Sequence, residues 1–479
     1  MHDFLRLSAL VGVTLGTLVL AAGCCGRVVV DRDQSAAGAG GGGGAGGGAG
    51  TGGETCAGPG FERTFVAPGL GALDIAAGDD CSFAMATFGW GRFDLGEGAP
   101  DGQDGGAAMV LARYSPDGDL ERTKAFSGGA YLYTGDHLRI DADGAVVLGG
   151  QIDGTIDFGG GPLVGAEGDL GVGLFVAKLD RQLGHVWSRR FSGSNSGSSS
   201  FAPGREVHGL ALGPDGSVVL TGYYEGGIDF GAGEMIAKDN DDGFVAKLAP
   251  DGSLRWAHSF GGPLDDVGED VEVTADGDVV LLGRCGSSAS FLGQDIDSPS
   301  LCVARLDGEG AVRWVRPFDA PGNHHGGHLA LFADGRIALT VTTRDEVNIG
   351  GLPPPAEPGA LHAIVAVLSP DGEELRAMTI EGASLVQGFA ATADGTVHVT
   401  GFFESVLSVS GQVVAEGVDD GFHLTLTGDL VVVAMETYGK PGSFDGVHEV
   451  TVDRGGRLLL AGAGLPEDSD EGTAFIRRP

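Results

Sequence analysis

Beyond residue 60 the chain is written almost entirely in short apolar runs rich in Val, Leu, Ile and Phe, separated by polar turns built on Asp-Gly or Pro-Asp-Gly. Runs of about five to seven residues, bounded by residues that tolerate a positive φ, predict β-strands joined by tight hairpins. Helical periodicity is nearly absent after the N-terminus. Two phrases recur. The first is run, turn, run: HLRIDADGAVVLGGQ, LALGPDGSVVLTGYY, VEVTADGDVVLLGRC, LALFADGRIALTVTT, FAATADGTVHVTGFF, EVTVDRGGRLLLAGAG and, more loosely, LDIAAGDDCSFAMATFG. The second begins MVLARY, FVAKL, FVAKL, CVARL, IVAVL, FHLTL and AFIRR, at spacings of roughly 53 to 69 residues. Each phrase therefore occurs seven times.

Two hairpins per unit make four antiparallel strands. Units of this size repeated seven times predict an all-β, seven-bladed β-propeller over residues 61–479 rather than a solenoid. Fourth strands are written LERTKAF, VWSRRF, LRWAHSF, VRWVRPF, LRAMTI and LVVVAMETY, which is one short, because the chain stops at a third strand, Ala474 to Pro479. FERTFVAPG, from Phe61 to Gly69, resembles the others. The N-terminal strand is expected to complete the last blade and so remove an exposed edge.

The succession W-x-x-x-F-G-G, acidic loop, V-x-V-x-x-D-G-x-V-x-x-T-G is similar to the seven-bladed propeller repeats of exported bacterial lipoproteins, a quinoprotein-like group. The resemblance implies a fold and a compartment, not a reaction. Leu179–Trp187 resembles the D-x-x-x-G-x-x-W docking turn of quinoprotein propellers, and Ala249–Trp256 the Asp-box turn of sialidases; both are turns that hold blades together.

At the N-terminus, Arg6 and an apolar stretch from Leu7 to Ala22 read as a secretory signal over residues 1–23. Leu20-Ala21-Ala22-Gly23-Cys24 resembles a lipobox, which implies lipidation at Cys24, anchorage in a membrane, and, with no aspartate at Cys25, display at the outer membrane or cell surface. Residues 24–60 then supply the anchor and a glycine-rich tether, costly to order and able to bury nothing. A formal charge of −37 disfavours nucleic acid as a partner and favours cations or basic surfaces. A monomer is expected.

In such blades the turns between strands one and two, and between three and four, share one face and are short. The other face carries long loops, read here as irregular, where binding is expected. Several are acidic before the third strand: Asp104, Asp169, Asp241 and Asp242, Asp295 and Asp297, Asp419 and Asp420, Asp468 and Asp470. Asp239, Asp241 and Asp242 offer hard oxygen donors for calcium, without the spacing of a twelve-residue calcium loop; solvated carboxylates capping turn amides are the alternative. Where first strands begin, Asp136, His137, His208, Glu269, Asp270, His328, His448 and Glu449 fall at the mouth of a central funnel, with His324 and His325 nearby. Imidazoles and carboxylates there suit zinc or acid–base work, or simply hydrogen-bond neighbouring backbones; no tight ligand spacing selects between them. Cys285 and Cys302, on adjacent strands, are expected to form a disulfide worth roughly 3 kcal/mol, and Cys56 with Cys81 a second.

No cofactor motif and no catalytic signature stand out. The sequence points to a surface-tethered, non-enzymatic propeller that binds a protein, glycan or cation through its long-loop face. An exported propeller enzyme, quinoprotein-like or glycan-cleaving, and an outer-membrane assembly scaffold stand as alternatives.

Overall fold

The runs form antiparallel strands throughout, and no helix occurs among the described residues, so none there is long and apolar enough to cross a membrane. The computed structural model describes residues 27–28 and 60–479, apart from 69, 91–94, 96–106, 129, 132–136, 153, 166–171, 195–203, 239, 321–323, 356, 358, 410–411, 417–419, 440–442 and 467–470. Cys24, Cys56 and nearly all of the proposed leader and tether lie outside the described residues.

Four sheets have four strands, one has five and one has nine. In the third repeat, Arg205–Leu212, Val218–Tyr224, Asp242–Leu248 and Leu254–Phe260 pair in chain order. The second and third strands are buried along nearly their whole length, which is why they read as continuous apolar runs, while the fourth is only partly buried. Apolar cores lie between successive sheets. Val147, Leu174 and Val176 of the second repeat pack on Val207, Leu210 and Leu220 of the third. In the same way Phe83, Met85 and Val110 of the first repeat pack on Leu459, Ala461 and Ile476 of the last.

The N-terminal strand Phe61–Pro68 pairs in unbroken register with Glu471–Arg478, Phe61 opposite Arg478 and Pro68 opposite Glu471. Among the described residues no sheet closes on itself through hydrogen bonds. The nine-stranded sheet departs from the expected division. A single long strand, Glu374–Ala391, is at once the fourth strand of the fifth repeat and the first of the sixth, with TIEGASLVQG standing where other repeats have linkers such as Phe260-Gly261-Gly262. Arg27–Val28 pairs with Glu436 and Met435 at this sheet's far edge.

The loops between second and third strands are not irregular. Several fold as small hairpins, such as Thr155–Asp157 with Pro162–Val164 and Gly227–Asp229 with Glu234–Ile236. Their apolar residues plug the seam to the preceding repeat: Phe158 meets Phe126 at 5.0 Å between ring centroids, Phe230 meets Phe191 at 4.9 Å, and Phe291 meets Phe260 at 4.6 Å. Asp157 Oδ1 accepts from the Gly159 and Gly161 amides at 2.7 and 3.0 Å, an Asx-type turn of the kind the sequence alternative described.

On the opposite side, the recurring FVAKL phrase is a brace. Its basic residue reaches turns of the following repeat: Arg113 Nη1 donates to Gly144 O at 2.6 Å, Lys247 Nζ to Gly308 O at 3.2 Å, and Arg305 Nη1 to Pro370 O at 3.1 Å. Arg478, in the last copy, donates to Pro116 O and to Cys81 O in the first repeat. Fourth strands grip the same turns. Trp187 Nε1 donates to Pro250 O at 2.8 Å and Trp256 Nε1 to Gly308 O at 3.1 Å. The Trp187 ring lies so close over Gly252, whose φ is +78°, that a Cβ there would stand 2.8 Å from it. Arg63 of the N-terminal strand donates to Gly118 O at 3.1 Å, as Arg189 does to Gly252 O at 3.2 Å.

The fifth and sixth repeats lack the basic brace, having Val367 and Thr425 at that position, and the sixth carries a buried imidazole pair: His398 Nδ1 lies 3.1 Å from His423 Nε2. Burial, then the neighbouring His423, lowers His398 to about 3, and burial lowers His423 to about 4.

The expected Cys285–Cys302 disulfide is not formed; both are buried free thiols. The register explains it. Cys285 stands opposite Ser300 and Cys302 opposite Gly283, so the two are diagonal rather than facing, and Cα atoms across such a diagonal are about 7–8 Å apart, beyond the usual disulfide span. Burial raises the Cys285 thiol well above its ordinary range. Cys81 is disulfide-bonded.

Candidate functional site

First strands of successive repeats adjoin one another in chain order, and Ser443–Val452 also lies beside Leu70–Ala77. Their register is interrupted at one recurring place. A β-bulge sets His208, Glu269, Gln387 and His448 out of the ladder between Val207 and Gly209, Gly268 and Asp270, Val386 and Gly388, and Val447 and Glu449. In the fifth repeat the bulge falls at Gly326. Bulges re-aim side chains, and here they divide the expected funnel residues into two groups.

Residues just after the bulge position bind backbone. His137 Nε2 donates to Val207 O at 2.6 Å, and the corresponding His328 Nε2 reaches Val386 O at 3.3 Å. Asp74 Oδ2 accepts from the His137 amide at 3.3 Å and Asp270 Oδ2 from the Leu329 amide at 2.7 Å. Glu449 Oε1 accepts from the Val450 amide at 3.0 Å. His137, Asp270 and His328 are thus stitches between first strands, while Glu449 caps an amide of its own strand. Asp136 lies outside the described residues, as do the side chains of His324 and His325.

The bulged residues meet other side chains. His208 Nε2 lies 3.3 Å from Glu206 Oε2 and edges onto Tyr223. Glu269 Oε1 stands 3.7 Å from Arg284 Nε, and its Oε2 accepts from the Gly327 amide at 3.4 Å. Gln387 Nε2 donates to His448 Nδ1 at 3.3 Å.

An acidic group gathers at this end of the third and fourth repeats. Asp241 is pushed up to about 7 by burial and by the charges of Asp265, Glu225 and Glu206, against which Arg284 acts. Glu206 remains low although burial opposes it, because His208, Tyr223 and Gln151 hydrogen-bond its carboxylate. Asp266 is raised by burial while holding the Gly262 and Gly286 amides at 2.7 and 2.8 Å. Of the residues expected to ligate calcium, Asp239 lies outside the described residues, Asp241 immediately precedes a strand and Asp242 opens it. No three His, Cys, Asp or Glu side chains among the described residues converge as a metal site. Asp295 and Asp297 are exposed around a hairpin strand, Asp420 opens a third strand, and Asp104, Asp169, Asp419, Asp468 and Asp470 fall outside the described residues.

Sequence reasoning did not single out Glu206, Glu225, Asp265 or Gln387. Gln387 was findable, since it holds the same repeat position as His208, Glu269 and His448. Glu225 and Asp265 stand outside the strands and follow no period.

No protein-family profile matches the chain, and no curated protein matches its sequence. Solved structures that resemble it include a protein of unknown function from Dyadobacter fermentans, with 8% identity over 87% of this chain and 98% of that one and a TM-score of 0.42. The β-propeller domain of the trilobed protease from Pyrococcus furiosus has 10% identity over 86% of this chain and 94% of that one, with a TM-score of 0.43. An apocarotenoid oxygenase variant from Synechocystis has 10% identity over 87% and 93%, with a TM-score of 0.39. These likenesses are too distant for any residue role to be carried across.

Proposed function

We propose that this chain is an exported, lipid-anchored, seven-bladed β-propeller that binds a cationic ligand, without chemistry, where its first strands meet the long-loop side. The observation that carries the binding reading is the gathering of Glu206, Glu225, Asp241 and Asp265, with Arg284 opposing them at Asp241. Burying the Asp241 carboxyl group, and then crowding it with other carboxylates, costs folding energy, and a bound cation relieves the part of that cost due to crowding. With no three ligand side chains converging among the described residues, an organic cation or basic peptide fits the cluster better than a calcium ion.

Seven blades follow if the nine-stranded sheet is counted as two units sharing Glu374–Ala391. Closure is supported by the grip of Arg63 and Arg478 on the first repeat, which repeats the grip of Arg189 and Lys247 farther along. Cys56 is the proposed partner of Cys81, and Cys24 the lipidated residue, set apart by the glycine-rich tether. Calorimetric titration with spermidine and, separately, with calcium tests the reading. Spermidine is expected to bind with an affinity that falls steeply with salt and at least fivefold in Asp241→Asn/Glu225→Gln. Absence of spermidine binding at low salt, or an unchanged affinity in the variant, overturns it.

A further inference from the structure

The seam between the fourth and fifth repeats departs from the repeat plan at several positions, and the departures line one cavity of about 310 Å³. In the second and third repeats the loop after the second strand reads IDFGGGPLV and IDFGAGEMI and folds as a hairpin. The fifth repeat has VNIGGLPPP instead. Pro353, Pro354 and Pro355 carry no N–H for a ladder, and no such hairpin forms there among the described residues. Asp319 stands where the second repeat has Ser192: each gives its carbonyl to the next repeat's loop, Ser192 O to the Asp229 amide at 3.1 Å and Asp319 O to the Asn348 amide at 2.8 Å. His362 opens the third strand opposite Thr343, where the second repeat has Gly173 opposite Ile152 and the fourth has Ser300 opposite Cys285. Positions at which one repeat abandons the pattern that its neighbours keep are where function is to be sought.

The cavity offers acceptors and apolar surface together. The imidazole of His362 is 3% exposed and donates through Nδ1 to Ala360 O at 3.1 Å, which assigns the proton to Nδ1 and leaves Nε2 an acceptor with no partner among the described residues. Asp319 and Glu346 bring two exposed carboxylates; Ser298 Oγ donates to Asp319 Oδ1 at 2.8 Å. No Lys or Arg lines the cavity, and Arg344 of the same loop is engaged on Gly359 O at 3.1 Å. Leu352, Ile364 and the three prolines supply the apolar wall, while Asn348 and Thr379 accept as well as donate. An anionic ligand would meet two carboxylates of its own sign. An ammonium on an aliphatic body donates to the acceptors with its head and covers the apolar wall with its body. The volume stands at the low end of the range of about 300–1,000 Å³ for ligand pockets, which suits one small molecule or one side chain.

We propose that the cavity between the fourth and fifth repeats binds an alkylammonium group, its head against Asp319, Glu346 and His362 Nε2 and its aliphatic body along Leu352, Ile364 and Pro353–Pro355. The group arrives as a free amine or as a lysine side chain. The site involves none of the residues of the acidic cluster around Asp241 and does not rest on it. Saturation-transfer NMR titrations of the folded full chain at pH 8, with n-hexylamine and with a capped Gly-Lys-Gly peptide, test it and distinguish the two sources. At least one of the two is expected to bind. Where hexylamine binds, 1-hexanol, which keeps the body without the charge, and methylamine, which keeps the charge without the body, are expected to bind at least tenfold more weakly. Asp319→Asn/Glu346→Gln, which changes only exposed carboxylates, is expected to weaken binding at least fivefold. Thr379→Phe, opposite Ile364 in register, puts a ring into the cavity and is expected to weaken it at least tenfold, with thermal unfolding confirming that both variants fold. Binding of neither probe overturns the proposal, as does hexanol binding as tightly as hexylamine, or an affinity unchanged in Asp319→Asn/Glu346→Gln. Asp241→Asn/Glu225→Gln is expected to leave hexylamine and peptide binding unchanged. Loss of spermidine binding in that variant while these probes still bind, or the reverse, separates failure of one site from failure of the other.

Discussion

The two ends of the repeats use polar side chains in opposite ways. At the turn end, basic groups are matched to carbonyls of the next repeat: Arg113 to Gly144, Lys247 to Gly308, Arg305 to Pro370, with Trp187 and Trp256 closing over the same turns. At the first-strand end near Asp241, carboxylates are crowded against one another, and Gln387 Oε1 is buried with nothing donating to it. Charge at one end is spent on joining repeats, and at the other it is held at a cost that folding alone does not explain. Buried polar groups that raise rather than lower the energy of the fold are where ligands are to be sought.

The contrast breaks most visibly at the turn end. Trp187→Ala removes a buried ring and its hydrogen bond to Pro250 O, and is expected to cost about 3–5 kcal/mol, measured by urea unfolding, while leaving spermidine affinity per folded molecule unchanged. A loss below about 1 kcal/mol would deny the turn end its scaffold role.

The sixth repeat sharpens the comparison through pH. His398 and His423 are lowered to about 3 and 4 in the fold against an ordinary 6.5. The unfolded chain therefore binds protons that the folded chain refuses, so stability is full above about pH 6.5 and declines as pH falls toward 4. The charged groups around the pair are Asp394, Arg477 and Glu436, the last held by Arg477 and Tyr438. Thermal unfolding from pH 7 to pH 4.5 is expected to show a loss on the order of 3 kcal/mol, reduced by half or more in His423→Gln. An identical pH slope in that variant would remove the pair from the account.

How far the sequence carried the fold depended on whether the signal was periodic. Asp-Gly turns, FVAKL phrases and the terminal strand FERTFVAP were legible because each repeats a local pattern, and Phe61–Pro68 does pair with the last strand. The hairpins around Phe158 and Phe230 were read as loops because their strands are only three residues long, too short for alternation to show. The continuous strand Glu374–Ala391 was missed because only the absence of a linker marks it. The candidate site was half legible. Histidines and carboxylates near the first-strand start are legible, but whether one stitches to a neighbouring backbone, as His137 does, or sits at a bulge beside another side chain, as His448 does beside Gln387, is a register property, invisible until the strands are paired. The cysteines fail for the same reason: proximity on adjacent strands was readable, the diagonal offset was not.

At the acidic end the expected effect is smaller and of opposite sign. Asp241 is raised to about 7 against an ordinary 3.8, so its ionisation is unfavourable to the fold, and stability from this group is lost as pH rises through 7. Asp241→Asn removes that penalty and is expected to stabilise the protein by about 1–2 kcal/mol at pH 8, after allowance for the group's partial exposure, with no gain at pH 4.

The most direct test joins both halves in one protein. Asp241→Asn at pH 8 is measured for thermal unfolding and for spermidine affinity in the same buffer. A higher melting temperature together with weaker spermidine binding is the predicted result. A lower melting temperature, or binding as tight as in the unaltered chain, would contradict the claim that these carboxylates are kept for a ligand.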